Sequence, residues 1–98
     1  MEWWKEKGRE AYNVLGECTT LALENENSEM AVICGYPLLK LAETENANYF
    51  GTEGTFNYNS AHFIAKEVIE LSKEKGVPSW FNHEIAEMEK ILKDGGWI

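Results

Sequence analysis

The side chains here that could do chemistry are few: His62 and His83, Cys18 and Cys34, four serines, and many glutamates. A di-iron bundle places a Glu three residues before a ligating His. Asn59 and Trp80 stand at those positions instead. The stretch His83-Glu84 continues to Glu87 rather than to a second histidine, so no zinc-protease pattern forms. No metal site and no cofactor are expected.

Nucleophilic catalysis fares no better. None of Ser28, Ser60, Ser72 and Ser79 sits in a Gly-x-Ser-x-Gly elbow. Both cysteines lie on apolar stripes, where a thiol is inert, so they are expected to be reduced, buried and structural, with one disulfide or a reactive thiol as the alternatives. The segment Gly51-Thr-Glu-Gly54-Thr is glycine-rich, but it lacks the following lysine and preceding strand of a phosphate loop. Glu67, Glu70 and Glu74 share one helix face, and Glu84 and Glu87 another. Both sets oppose apolar stripes and read as solvated. No catalytic residue is assigned, and an enzyme is not expected.

One segment stands apart. Residues 46–59 carry no helical period and mix Tyr49, Phe50, Phe56 and Tyr58 with Thr52, Thr55 and Asn59, leading on to His62. Aromatics among Asn, Thr and Gly match the make-up of adaptable binding surfaces, and long irregular loops are often functional. Equally, Phe50 and Phe56 could pin the loop onto the rest of the chain.

The elements that must hold these residues read as helices. From Trp3 to about Glu24, Trp4, Gly8, Ala11, Leu15, Cys18 and Ala22 recur at spacings of four and three. Residues 25–28 form a turn, with Ser28 as N-cap of a second helix. That helix carries Met30, Ile33, Cys34, Pro37, Leu38 and Leu41 as its stripe. Pro37 interrupts it, and the continuing period favours one kinked helix over two short ones. Ser60 is expected to cap a third helix over 61–75, with Ala61, Ile64, Val68 and Leu71 inward. Gly76 ends it. Pro78 opens a fourth helix over about 79–93, with Phe81, Ile85, Met88 and Leu92 on one face.

The expected fold is therefore all-α, a four-helix bundle in one domain over residues 1–98. Two helical hairpins are joined by the long aromatic and polar loop. Trp4, Gly8 and Tyr12 faintly echo a tetratricopeptide unit, but Thr20, Glu24 and Asn27 stand at its later signature positions, which rejects it.

Charge sets the class of partner. Net charge is −8, with −5 carried by residues 1–49 and −3 by residues 50–98. This spread acidity argues against direct nucleic-acid binding, which needs a basic face, and permits a basic protein surface. The beginning of the chain lacks a signal-peptide pattern. No apolar run approaches the length of a membrane span, so no membrane partner and a cytoplasmic location are expected. Eight Lys against one Arg, with eight Asn and no Gln, points to an AT-rich genome such as a low-GC bacterium, its phage or an archaeal counterpart. The functional expectation is a small acidic, non-enzymatic protein that binds and in some settings inhibits a protein partner. Its sharpest form is a phage or mobile-element inhibitor of a nucleic-acid enzyme, acting in the host cytoplasm. The alternative is an oligomeric binder of an anionic or nucleotide-like ligand, and self-association stays open. The residues assigned to binding are Tyr49, Phe50, Thr52, Thr55, Phe56, Tyr58, Asn59, His62, Glu84 and Glu87.

Overall fold

The computed structural model describes residues 3–44 and 58–98, with side chains over 6–44 and 60–98. Among the described residues there are four α-helices: α1 (Trp3–Glu24), α2 (Ser28–Ala42), α3 (Tyr58–Lys75) and α4 (Asn82–Asp94). A single 3-10 turn, Ser79–Phe81, leads into α4. No strand occurs among the described residues, and the fold is a small all-α bundle. Helices α2 and α3 each touch the other three.

The α1–α2 reversal is built from local chemistry. Glu26 adopts φ 53, a left-handed conformation that costs a non-glycine residue free energy. It lets Asn27 N–H reach Ala22 O at 2.8 Å and Glu26 N–H reach Leu23 O, satisfying carbonyls left open at the end of α1. Asn27, not Ser28, is the N-cap of α2, its side chain accepting from Met30 N–H at 3.1 Å. Ser28 turns instead to the far end of α3 and donates to Gly76 O at 2.7 Å. Helix α2 runs as one helix through Pro37, and α3 starts at Tyr58, so Ser60 lies inside its first turn rather than capping it.

The cysteines correct the sequence expectation. Cys18 and Cys34 form a disulfide between α1 and α2, and no free thiol remains. The physical reason is the reversal itself. Positions 18 and 34 lie eight residues either side of Glu26, so an antiparallel hairpin sets them opposite each other with Cα atoms 5.9 Å apart, within disulfide range.

The larger part of the core joins Val32 and Leu39 of α2 to Val68 and Ile69 of α3 and Met88 and Leu92 of α4. A second cluster packs Tyr12 against Leu38, Ala42 and Ala61. Burying each such aliphatic side chain contributes about 1.5–3 kcal/mol. Tyr12 is fully buried, and burial pushes its phenol up to about 12. Three helices meet closely at Gly35: a Cβ there would lie 3.0 Å from Val68 Cγ2 and 3.4 Å from Thr19 Cγ2.

The core faces of α1 and α2 differ from the expected ones. On α1 the buried residues are Tyr12, Gly16, Thr19 and Ala22, while Ala11 is exposed. On α2 they include Ala31, Val32, Gly35, Leu38, Leu39 and Ala42. Met30 and Ile33, expected inside, face outward. Thr19 is tolerated inside because its hydroxyl donates to Leu15 O at 2.7 Å, which leaves its methyl for the core.

Candidate functional site

Of the residues assigned to binding from sequence, Tyr49, Phe50, Thr52, Thr55 and Phe56 lie outside the described residues. Tyr58 and Asn59 form the first two positions of α3. His62 is 1% exposed. Its Nε2 lies 2.8 Å from Glu43 Oε2, just past the end of α2. Its ring stacks on Trp97, with centroids 4.8 Å apart and planes at 18°. Trp97 is brought there by the C-terminal cap of α4. Gly96 takes φ 76, and Trp97 N–H bonds to Leu92 O at 2.8 Å. Phe63 meets the same indole edge-on at 5.0 Å. In this structure His62 ties α3 to the end of α2 and to the C-terminal segment.

Glu87 does not lie on a free solvated face. Its Oε2 accepts from Tyr36 Oη at 2.6 Å, and its Oε1 accepts from Lys40 Nζ at 2.5 Å. His83 Nε2, one turn earlier on α4, stands 3.4 Å from Oε2. The bond from Lys40, then that from Tyr36, holds the Glu87 carboxyl below the usual carboxylate range. The same contact with Glu87 raises both the Tyr36 phenol and the Lys40 ammonium. Tyr36 and Lys40 are four apart on α2 and so share a face, and α4 lays Glu87 against them. Glu84 is only partly exposed, and its Oε2 is shut from solvent with no hydrogen-bond partner among the described residues. The expected acidic face of α4 is thus largely an α2–α4 contact.

A different surface stands out. Val14 and Leu21 on α1 are 63% and 57% exposed, and Met30 and Ile33 on α2 are 41% and 49% exposed. Spacing places them together. Val14, Cys18 and Leu21 follow one another at four and three residues on α1, as do Met30, Cys34 and Pro37 on α2. The Cys18–Cys34 bridge therefore lies between the two rows and fixes them side by side, with Ile33 at the outer edge. Beside the α1 row runs a line of exposed glutamates at seven-residue spacing, Glu10, Glu17 and Glu24, and Glu29 neighbours Ile33 on α2. Lys7, 3.3 Å from Glu10, is a base at this rim. Reading from sequence missed this surface. Its signal was the shared seven-residue period of Val14 and Leu21 and of the three glutamates.

Among the described residues no group of His, Cys, Asp or Glu is arranged to hold a metal ion. No described helix is long and apolar enough to cross a membrane. Comparison with known protein families, with curated proteins and with solved structures finds no match.

Proposed function

We propose that this chain is a small acidic interaction protein that binds a protein partner through that partner's basic surface and carries out no reaction of its own. The observation that supports it is the outward face of the α1–α2 hairpin, apolar at its centre and edged by glutamate. Exposed apolar residues grouped on one face with a polar rim mark interaction sites. The net charge of −8 steers the protein toward basic surfaces and away from nucleic-acid backbones. In its sharper form the protein is an inhibitor encoded by a phage or mobile element. Its carboxylates would occupy the phosphate positions of a basic cleft in a nucleic-acid enzyme.

The test is affinity capture from extracts of the source cells, comparing the wild type with Glu17→Lys/Glu24→Lys. The expected result is a basic protein retained by the wild type and lost with the double substitution, and lost again when salt is raised to about 0.5 M. Recovery of nothing beyond what an unrelated protein of equal charge retains would sink the reading. For the inhibitor form, the captured partner's activity on nucleic acid should fall as wild type is added.

A further inference from the structure

We propose that the outer face of the α1–α2 hairpin is the docking site for one kind of occupant, an amphipathic helix whose apolar stripe is flanked by lysine or arginine. This rests on the interaction reading above and assigns its surface and its partner's chemistry.

The shape argument comes from the pairing of the rows. Two antiparallel helices present a shallow groove along their seam, and Val14, Leu21, Met30 and Pro37 line this one. A third helix fills such a groove with anchors at i, i+3, i+4 and i+7. Val14 to Leu21 spans two turns, roughly 10 Å, which matches one such set of anchors. The Cys18–Cys34 bridge at the centre of the seam holds the rows at fixed spacing before anything binds, so little order must be imposed on docking.

The charge argument selects the occupant. Glu10, Glu17, Glu24 and Glu29 edge the face. Lys40 is engaged with Glu87 and Lys7 pairs with Glu10, so with four glutamates against one rim lysine the edge stays net acidic. A second copy of the chain would bring the same glutamates and another −8 of net charge against it, which disfavours a symmetric pair. An anionic lipid surface is repelled for the same reason. A helix with basic flanks meets apolar centre with apolar stripe and carboxylate rim with ammonium or guanidinium.

The probe is a synthetic peptide of about 18 residues, five turns, with leucine on one face and lysine at its borders. A scrambled peptide of the same composition and a glutamate-bordered version serve as controls. Binding is read by fluorescence anisotropy, and methyl NMR of the wild-type protein maps the contact. The patterned lysine peptide is expected to bind and to shift the methyls of Val14, Leu21, Met30 and Ile33. Leu21→Glu and Ile33→Glu should each weaken it by about tenfold or more. Glu17→Lys/Glu24→Lys should weaken it and flatten its salt dependence. Trp80→Glu, at an exposed aromatic in the turn before α4 and outside both helices of this face, should leave it unchanged. Circular dichroism confirms that each variant is folded, and the NMR map needs no variant at all.

Equal binding of the scrambled peptide, shifts mapping elsewhere, or unchanged affinity in the folded face variants would overturn the assignment. So would a dimer in sedimentation that Leu21→Glu dissolves, since the occupant would then be a second copy. Capture of a basic cellular partner whose cross-links fall on another face would remove this assignment and leave the interaction reading standing.

Discussion

Tyr36 donates its phenolic proton to Glu87 across 51 positions of sequence, at 2.6 Å, and so joins α2 to α4. Lys40 completes the contact on the other carboxylate oxygen. Glu87 is thus a structural carboxylate, and its charge matters to folding before it matters to any partner.

The pH dependence of stability follows from this contact. The Glu87 carboxyl is held below its ordinary value, first by Lys40 and then by Tyr36. A carboxyl with a lowered folded-state pKa contributes stability above its unfolded value of about 4.3, and that contribution is lost as pH falls through the folded value. Glu87→Gln is expected to lower the thermal midpoint at neutral pH and to flatten its decline on acidification. Tyr36 and Lys40 are raised, so their share is present at neutral pH and lost as pH rises through their folded values. Thermal melts of wild type and Glu87→Gln across the acid range check this. Parallel curves would remove Glu87 as the source.

The disulfide carries its own prediction. Cross-linking residues 16 apart restricts the unfolded chain, and chain-entropy arguments put the gain at about 3 kcal/mol. Cys18→Ala/Cys34→Ala, or reduction of the wild type, should therefore cost about that much in denaturant titrations and leave the helical signal largely in place. Alkylation and intact mass of unreduced protein check the bond directly. Both cysteines labelled without a reductant would show that the bridge is absent under those conditions. Disulfides persist mainly in oxidising compartments, so the same labelling done on freshly lysed cells reports the redox setting in which the chain matures.

The helices were legible in the sequence, whereas two of their inward faces were not. On α4, Met88 and Leu92 stand out as apolar among charged neighbours, and both are fully buried. On α1 and α2 apolar residues occur around more than half of the helix, so periodicity alone could not choose a face. The apolar pattern drew the inward face through Ala11, Met30 and Ile33. The structure instead buries small residues, Gly16, Ala22, Ala31 and Gly35, and at Gly35 the helices approach closely. The larger Val14, Leu21, Met30 and Ile33 remain outside. The residues that spoiled the inward reading are the ones that compose the candidate surface. The Cys18–Cys34 pair is within reach of the sequence, because a reversal at 25–28 leaves both cysteines equidistant from Glu26. The contacts of His62 with Glu43 and Trp97 are not, because they join three separate stretches of chain.

Glu26 offers a stabilising change. It occupies a left-handed position with φ 53, where glycine is the favoured residue. Glu26→Gly should raise stability by about 1 kcal/mol. The substitution also removes the contact with Lys75, but that pair is 3.7 Å apart and well exposed, so its loss costs no more than a few tenths of a kcal/mol. A higher denaturant midpoint with an unchanged slope is the expected outcome. Glu26→Ala, which keeps the strain and loses the same ion pair, should show no gain.

Gly35 tests a close packing point in the bundle, and two effects compete there. Alanine inside a helix is favoured over glycine by about 1 kcal/mol. Against this, the added Cβ would sit 3.0 Å from Val68 Cγ2 and 3.4 Å from Thr19 Cγ2. Val68 and Thr19 are both fully buried, and β-branched side chains have little rotamer freedom with which to yield. Overpacking of this kind costs about 1–3 kcal/mol, so Gly35→Ala should be neutral to destabilising by up to about 2 kcal/mol despite its better propensity. A double-mutant cycle with Val68→Ala isolates the clash. Removing the valine methyls alone leaves a cavity, but in the Gly35→Ala background the new methyl partly fills it. The double variant should therefore be more stable than the sum of the singles by about 1 kcal/mol or more. Strict additivity would mean that α2 and α3 move apart to admit the methyl and that Gly35 is not what sets their separation.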